Sequence, residues 1–287
     1  MAFNLGSALA NAKKSVNMTE AKAAAEYEPY AEGPVNLRLA GFIEVGKQEV
    51  QFGKDKPIEV KDMVYLLWEL SGPKHKPKEI DGKTVPLIFV QEMTNTLTTK
   101  SLLFKQFTAM NKAYGGQYTH MGDMIGLAFR GKITHDPKKT GDKMYYNEKL
   151  VDIGKAERPE VLPDGDGGFA ETGEMVAVKV DPMISKPMGF IFHHSGKDHW
   201  DSLYIEGEYP ERKDDKGNVT KPAQSKNKWQ LKIKAAKNWN ECPMYPIVMG
   251  GATGEADAAA VNDLVGEADE VVSSGRPADA GDGVDID

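Results

Sequence analysis

Cysteine is nearly absent. Cys242 is the one thiol in 287 residues, which excludes an internal disulfide framework and any zinc site built on several cysteines, and fits a reducing compartment. No run approaches the ~18 apolar residues that a membrane helix needs. The N-terminal stretch MAFNLGSALANAKKS interrupts its few hydrophobic residues with Asn, Gly and Ser, so it lacks the apolar centre of a signal peptide. These absences predict a soluble, cytoplasmic protein with no membrane partner. Bases are missing beyond Arg276: residues 251–287 hold ten acids and that one base, whereas the rest of the chain holds 35 bases and 33 acids. The pI of about 5.5 therefore belongs to the tail and does not exclude a polyanionic partner.

With 40% hydrophobic and 28% charged residues, the composition is that of a globular chain. Residues 1–31 are rich in Ala, Lys and Glu and read as a helical or flexible leader. Alternation of apolar and polar residues then marks strands at 35–45, 62–70 and 84–93, the last preceded by the turn DGK. In the first, Val35, Leu37, Leu39, Ile43 and Val45 fall on one side and Arg38 and Phe42 on the other, with Gly41 as a bulge or bend. The period changes at 98–116, where Leu103, Phe107 and Met110 stand at helical spacing ahead of Gly115-Gly116. Two more strands follow at 125–135 and 144–155, joined by the basic loop DPKKTGDK.

Three strands, a helix and two strands, over residues 32–158, is the order of an OB-fold, a five-stranded, partly open barrel. The expected fold class is mainly β, with an α+β C-terminal extension at 159–249 that carries a basic helix near 225–239. From 250 to 287 Ala, Gly, Asp and Glu dominate. Such a segment buries too little apolar surface to offset roughly 1–2 kcal/mol of backbone entropy per residue, so it is expected to be disordered.

Several motifs fail on chemistry or context. GFIEVGKQ (41–48) meets most of a phosphate-binding loop, but Gln48 stands where a hydroxyl is needed, and the stretch ends a strand rather than opening a helix. HHSGKDH offers His193, His194 and His199, yet adjacent histidines on a strand point to opposite faces, so no metal site is expected. Neither a nucleophile elbow nor a metalloprotease pair is present, and no cofactor is called for.

The pattern that carries chemistry is aromatic residues interleaved with bases on the strands. Arg38, Phe42, Tyr65, Arg130, Lys132, Tyr145 and Lys149 all fall on the side that alternation assigns as outward. Single-strand binders need this pairing: a base stacked on a ring gains about 1–3 kcal/mol whatever its identity, while Lys and Arg track the phosphates. Outward rings serve equally as cover for added segments, and residues 159–250 must lie against something. The lysine-rich stretch 221–237 reads either as a further phosphate contact or as a solvated helix.

EGPVNLRLAGFIEVGKQ, YLLWEL, FVQEMTNTLTTKSLLFKQF and MIGLAFRGKITH together resemble the single-stranded DNA-binding proteins of tailed-bacteriophage replication modules. The matching positions are Gly46–Gln48, Trp68–Leu70, Ser101-Leu102 and Ile125-Gly126. Where that family continues its helix to a Trp-Arg-Gly group, this chain has Met110-Asn111-Lys112. The resemblance implies a non-enzymatic, sequence-tolerant single-stranded DNA binder of phage replication and recombination. It also implies an acidic tail (Asp279, Asp282, Asp285, Ile286, Asp287) that competes for the DNA groove and recruits a polymerase, primase or helicase. A strand-annealing protein is the alternative within the same class, and a metal-dependent nuclease using His193 to His199 lies outside it.

Overall fold

The computed structural model describes residues 29–250, apart from 54–55, 81, 141–142, 164–167 and 214–218. Most of the expected leader and the whole run 251–287, including Asp279, Asp282, Asp285, Ile286 and Asp287, lie outside the described residues. The expectation of a mainly β chain holds. Five long strands form one antiparallel sheet: β1 (Gly33–Val50), β2 (Glu59–Ser71), β3 (Leu87–Thr94), β4 (Ala128–Thr140) and β5 (Lys143–Gly154). Their spatial order is β3-β2-β1-β4-β5. Helix α1 (Leu102–Ala113) lies between the third and fourth strands in sequence. Ser101 caps it by accepting from Phe104 N–H, and Gly115 and Gly116, at φ 77° and 78°, end it.

The sheet curls around α1 but does not close, because no ladder joins β3 to β5 among the described residues. Helix α1 touches both edge strands, and Tyr30 spans the same seam. Its backbone N–H donates to Glu148 on β5, its hydroxyl donates to the Ile88 carbonyl on β3 at 2.8 Å, and its ring leans on Phe89. Burial, reinforced by the Glu148 carboxylate, pushes the Tyr30 phenol up to about 12. Val35, Leu37 and Leu39 of β1, Val64, Leu66, Trp68 and Leu70 of β2, and Leu103 and Met110 of α1 fill the inside. Each such burial is worth about 1.5–3 kcal/mol.

A second core lies on the other side of β1 and β2. A bulge between Leu39 and Gly41 reverses the alternation of β1. Ile43 and Val45 consequently face away from the inner core, alongside Met63, Tyr65 and Leu67 of β2. The C-terminal extension covers them with Phe190, Phe192, Trp200, Leu203, Trp229, Ile233 and Trp239. Two short strands precede the cover, β6 (Glu157–Pro163) and β7 (Phe169–Ala177), which form a separate two-stranded ribbon. The cover itself begins with β8 (Met188–Phe190), parallel to β1 with Gly41 opposite Met188. It continues through α2 (Lys197–Ser202) and α3 (Lys228–Lys234). The expected basic helix is thus shorter than 225–239; Trp229 and Ile233 are on its buried side, and Ala236, also buried, follows its end.

Polar contacts hold the cover in place. The buried Glu69 carboxylate accepts from the backbone N–H groups of Ile184 and Ser185 at 2.7 and 2.8 Å. The turn read as a failed phosphate loop is part of the same docking surface. Gly46 sits at φ 71°, and a Cβ there would stand 2.4 Å from the Phe192 ring, so only glycine lets the extension approach this closely. Lys47 N–H donates to Asn238 Oδ1, and the Gln48 amide donates to the Val45 and Lys232 carbonyls.

Candidate nucleic-acid interface

Three of the seven sequence-predicted contact residues are used up inside the fold. Phe42 was expected outward, but the bulge at Gly41 turns it into the inner core, where it is 2% exposed and meets His120 edge-on at 5.2 Å. Tyr65 does face outward from the inner core, as alternation requires, yet what lies there is the second core rather than solvent. Its ring is fully buried against Trp229 at 5.2 Å, its hydroxyl donates to Glu92, and Lys232 lies 5.1 Å from its centroid. Arg38 is half-buried and its guanidinium donates to the carbonyls of Gly126, Val180 and Asp181 at 2.8, 3.1 and 2.6 Å. It clasps the extension to the sheet instead of facing solvent.

The remaining predicted residues all belong to the β4–β5 hairpin. Register pairs Thr134 with Lys149 and Lys132 with Val151, so Arg130, Lys132 and Lys149 share one face of the hairpin, the one away from Phe129, Ile133 and Leu150 of the inner core. Tyr145 pairs with Lys138 in the same register; its side chain lies outside the described residues. Lys132 is exposed, Arg130 and Lys149 half-buried. Arg130 donates to the Glu157 carbonyl at 3.2 Å, and the Lys149 ammonium lies 3.9 Å from Asp136.

A bulge shapes this face. Between Arg130 and Lys132 the register with β5 shifts, and Asp152 becomes the extra residue at φ 54°, the one non-glycine in the left-handed region among the described residues. Asp tolerates that conformation better than most side chains. Gly131 is required on the other strand, since a Cβ would come within 2.9 Å of Leu37 and 3.1 Å of the Val151 carbonyl. The kink opens a cleft of about 350 Å³ lined by Arg130, Lys132, Asp152, Lys155, Glu157 and Met175. Lys155 is ion-paired with Glu157. What the arrangement offers chemically is Arg130, Lys132 and Lys149 on one face of a kinked strand pair, with the Asp152 and Glu157 carboxylates beside the cleft.

The histidine cluster does not converge. His193 and His194 are exposed, and His199 accepts from Gly196 N–H at the start of α2. Among the described residues no group of three His, Cys, Asp or Glu side chains is placed to hold a metal ion. The Cys242 thiol is buried in the second core, and burial raises its pKa. No helix among the described residues is long and apolar enough to cross a membrane. The lysine-rich stretch that contains α3 is tied in part to the sheet, with Lys232 of the helix 4.0 Å from Glu92 and Lys237 beyond it 2.8 Å from Glu49. Burial, and then the charge of Lys232, lower the Lys228 pKa.

Compared with known proteins, the chain matches no family model, no curated protein and no solved structure.

Proposed function

We propose that this chain is a non-enzymatic, sequence-tolerant single-stranded DNA-binding protein of the kind used in phage replication and recombination, and that its strand-tracking surface is the outer face of the β4–β5 hairpin. The observation that carries the reading is the grouping of Arg130, Lys132 and Lys149 on one face beside the bulge cleft. A backbone phosphate every few ångströms needs this kind of cationic row and no base-specific donor set. The strand order β3-β2-β1-β4-β5, with a helix between the third and fourth strands, supports an OB-fold whose last seam is filled by α1 and Tyr30 instead of a ladder. Arg38, Phe42 and Tyr65 have no part in the strand-tracking surface.

The acidic run at 251–287 competes with DNA for this cationic face and, once displaced, is available to a polymerase, primase or helicase. Competition between two polyanions raises salt sensitivity and suppresses weak non-specific binding. The primary test is fluorescence polarisation of single-stranded DNA, duplex DNA and single-stranded RNA across a salt series. Strong single-strand preference with a steep salt dependence is expected, and equal affinity for duplex rejects the reading. Deleting residues 251–287 tightens oligo-dT binding at low salt; unchanged or weaker binding rejects the competition.

A further inference from the structure

Two surface features are left over by this reading, and they complement each other. The first is the β6–β7 ribbon. It pairs with no other strand among the described residues, and its apolar side chains stand out: Val161 is 39% exposed, Leu162 51% and Phe169 73%. The register sets Pro163 opposite Phe169 and Val161 opposite Glu171, so Val161, Pro163 and Phe169 form an apolar strip on one face. Glu171 shares that face, opposite Val161, and the two strands carry Glu157, Glu160 and Glu174 besides, against the single base Arg158; Glu157 is paired with Lys155 and Glu160 accepts from the Thr172 hydroxyl. A lone two-stranded ribbon is marginal in water, and this one is too acidic to lie on a phosphate backbone.

The second feature is a shallow, open hollow of about 590 Å³ along the outward side of α1, lined by that helix and its C-terminal turn alone through Phe104, Phe107, Thr108, Asn111, Lys112 and Gly115. Its surroundings are cationic. From residue 95 to 122 the chain carries Lys100, Lys105 and Lys112 and no carboxylate, and Lys105 and Lys112 are both exposed. A ring-lined hollow edged by ammonium groups is the counterpart of a ring-bearing strip edged by carboxylates.

We propose that the β6–β7 ribbon of one copy seats in the α1 hollow of a second copy, with Phe169 entering between Phe104 and Phe107 and the ribbon's glutamates facing Lys105 and Lys112. Ribbon and hollow are different surfaces, so the contact is heterologous and repeats into an open row rather than closing as a symmetric dimer. Such a row lays successive copies along one strand. The ribbon borders the bulge cleft through Glu157 and Met175, but its apolar strip and the α1 hollow share no residue with Arg130, Lys132 or Lys149, so the two surfaces are tested separately.

Sedimentation velocity of the full chain tests it. The wild type forms species larger than dimers that grow with concentration and dissolve in high salt. Phe169→Glu on the ribbon and the pair Lys105→Glu, Lys112→Glu on the hollow each replace exposed side chains, and each weakens association about tenfold or more, the loss expected when one buried ring or its charge complement is removed. Mixed in equal amounts, the two variants retain one good ribbon and one good hollow, and assembly stops at the dimer. A wild type that stays monomeric at high micromolar concentration overturns the proposal, as does a mixture that gives no dimer. Polarisation on an oligo-dT too short for two copies reads DNA binding separately and is expected to be unchanged in both variants. If the hollow variant loses that affinity while its self-association stays intact, the hollow belongs to a nucleobase and the proposal is wrong.

Discussion

Replacing Arg130, Lys132 and Lys149 together by alanine strips the β4–β5 face of its three predicted phosphate contacts. For single strands each phosphate neutralised contributes about 0.7 to the slope of log affinity against log salt, so the variant's slope is shallower by about 2. Between 50 and 200 mM salt that difference amounts to roughly 20-fold: the wild type loses that much more affinity than the variant over the same interval. The full increment is expected from Lys132, which is exposed. Arg130 gives up a hydrogen bond to the Glu157 carbonyl and Lys149 its proximity to Asp136, so each delivers somewhat less. The assay is polarisation of labelled oligo-dT in five or more salt concentrations. All three side chains point away from the inner core, so thermal stability should change by less than about 1 kcal/mol. A variant whose slope stays within about 0.5 of the wild type would remove this hairpin from the interface.

Other outcomes follow from the cores. Gly46→Ala should destabilise the fold by about 2–4 kcal/mol, because a Cβ there meets Phe192 at 2.4 Å and φ is 71°; chemical denaturation measures it, and a neutral result would mean the extension is not seated here. Phe42→Leu should cost about 1–2 kcal/mol of stability and leave oligo-dT affinity per folded molecule unchanged, since the ring is in the inner core. A tenfold affinity loss would restore Phe42 to the interface. His75 is 1% exposed with its Nε2 3.0 Å from the Ala31 carbonyl, and burial, with a smaller contribution from Lys74, lowers its pKa below the ordinary 6.5. The folded state then binds this proton more weakly than the unfolded chain, so the contribution is complete above pH 6.5 and is lost as pH falls below it. His75→Gln should flatten the stability profile in that acid range, and identical slopes in the two proteins would contradict the sign.

Alternation made the strands legible because each of the five has one face on a dry interior, and the heptad-like spacing of Leu103 and Met110 marked α1 for the same reason. Phe42 was misplaced because strict alternation does not survive a bulge, and Gly41 marks one without saying which residue becomes the extra one. Tyr65 was assigned the right side of β2 but the wrong surroundings. Nothing local to residues 62–70 signals that Trp229, some 160 positions later, covers them. The clasp made by Arg38 was invisible for a related reason, since its acceptors are main-chain carbonyls, which every residue carries. The cations of β4 and β5 were legible because their register is local, set within one hairpin. The hollow on α1 and the ribbon at 157–177 were not, because each is a shape made by backbone geometry rather than a residue pattern.

The dependence of the sheet on a distant cover has a consequence for biosynthesis. Ile43, Val45, Met63 and Leu67 emerge from the ribosome early, and their partners Trp229, Ile233 and Trp239 come 135 to 145 residues after β3 is complete. At the usual ~5–20 residues per second the nascent chain carries this greasy sheet surface uncovered for about 7–30 seconds. Translation stalled before Trp229 would leave it bare for good, a substrate for holding chaperones and proteases.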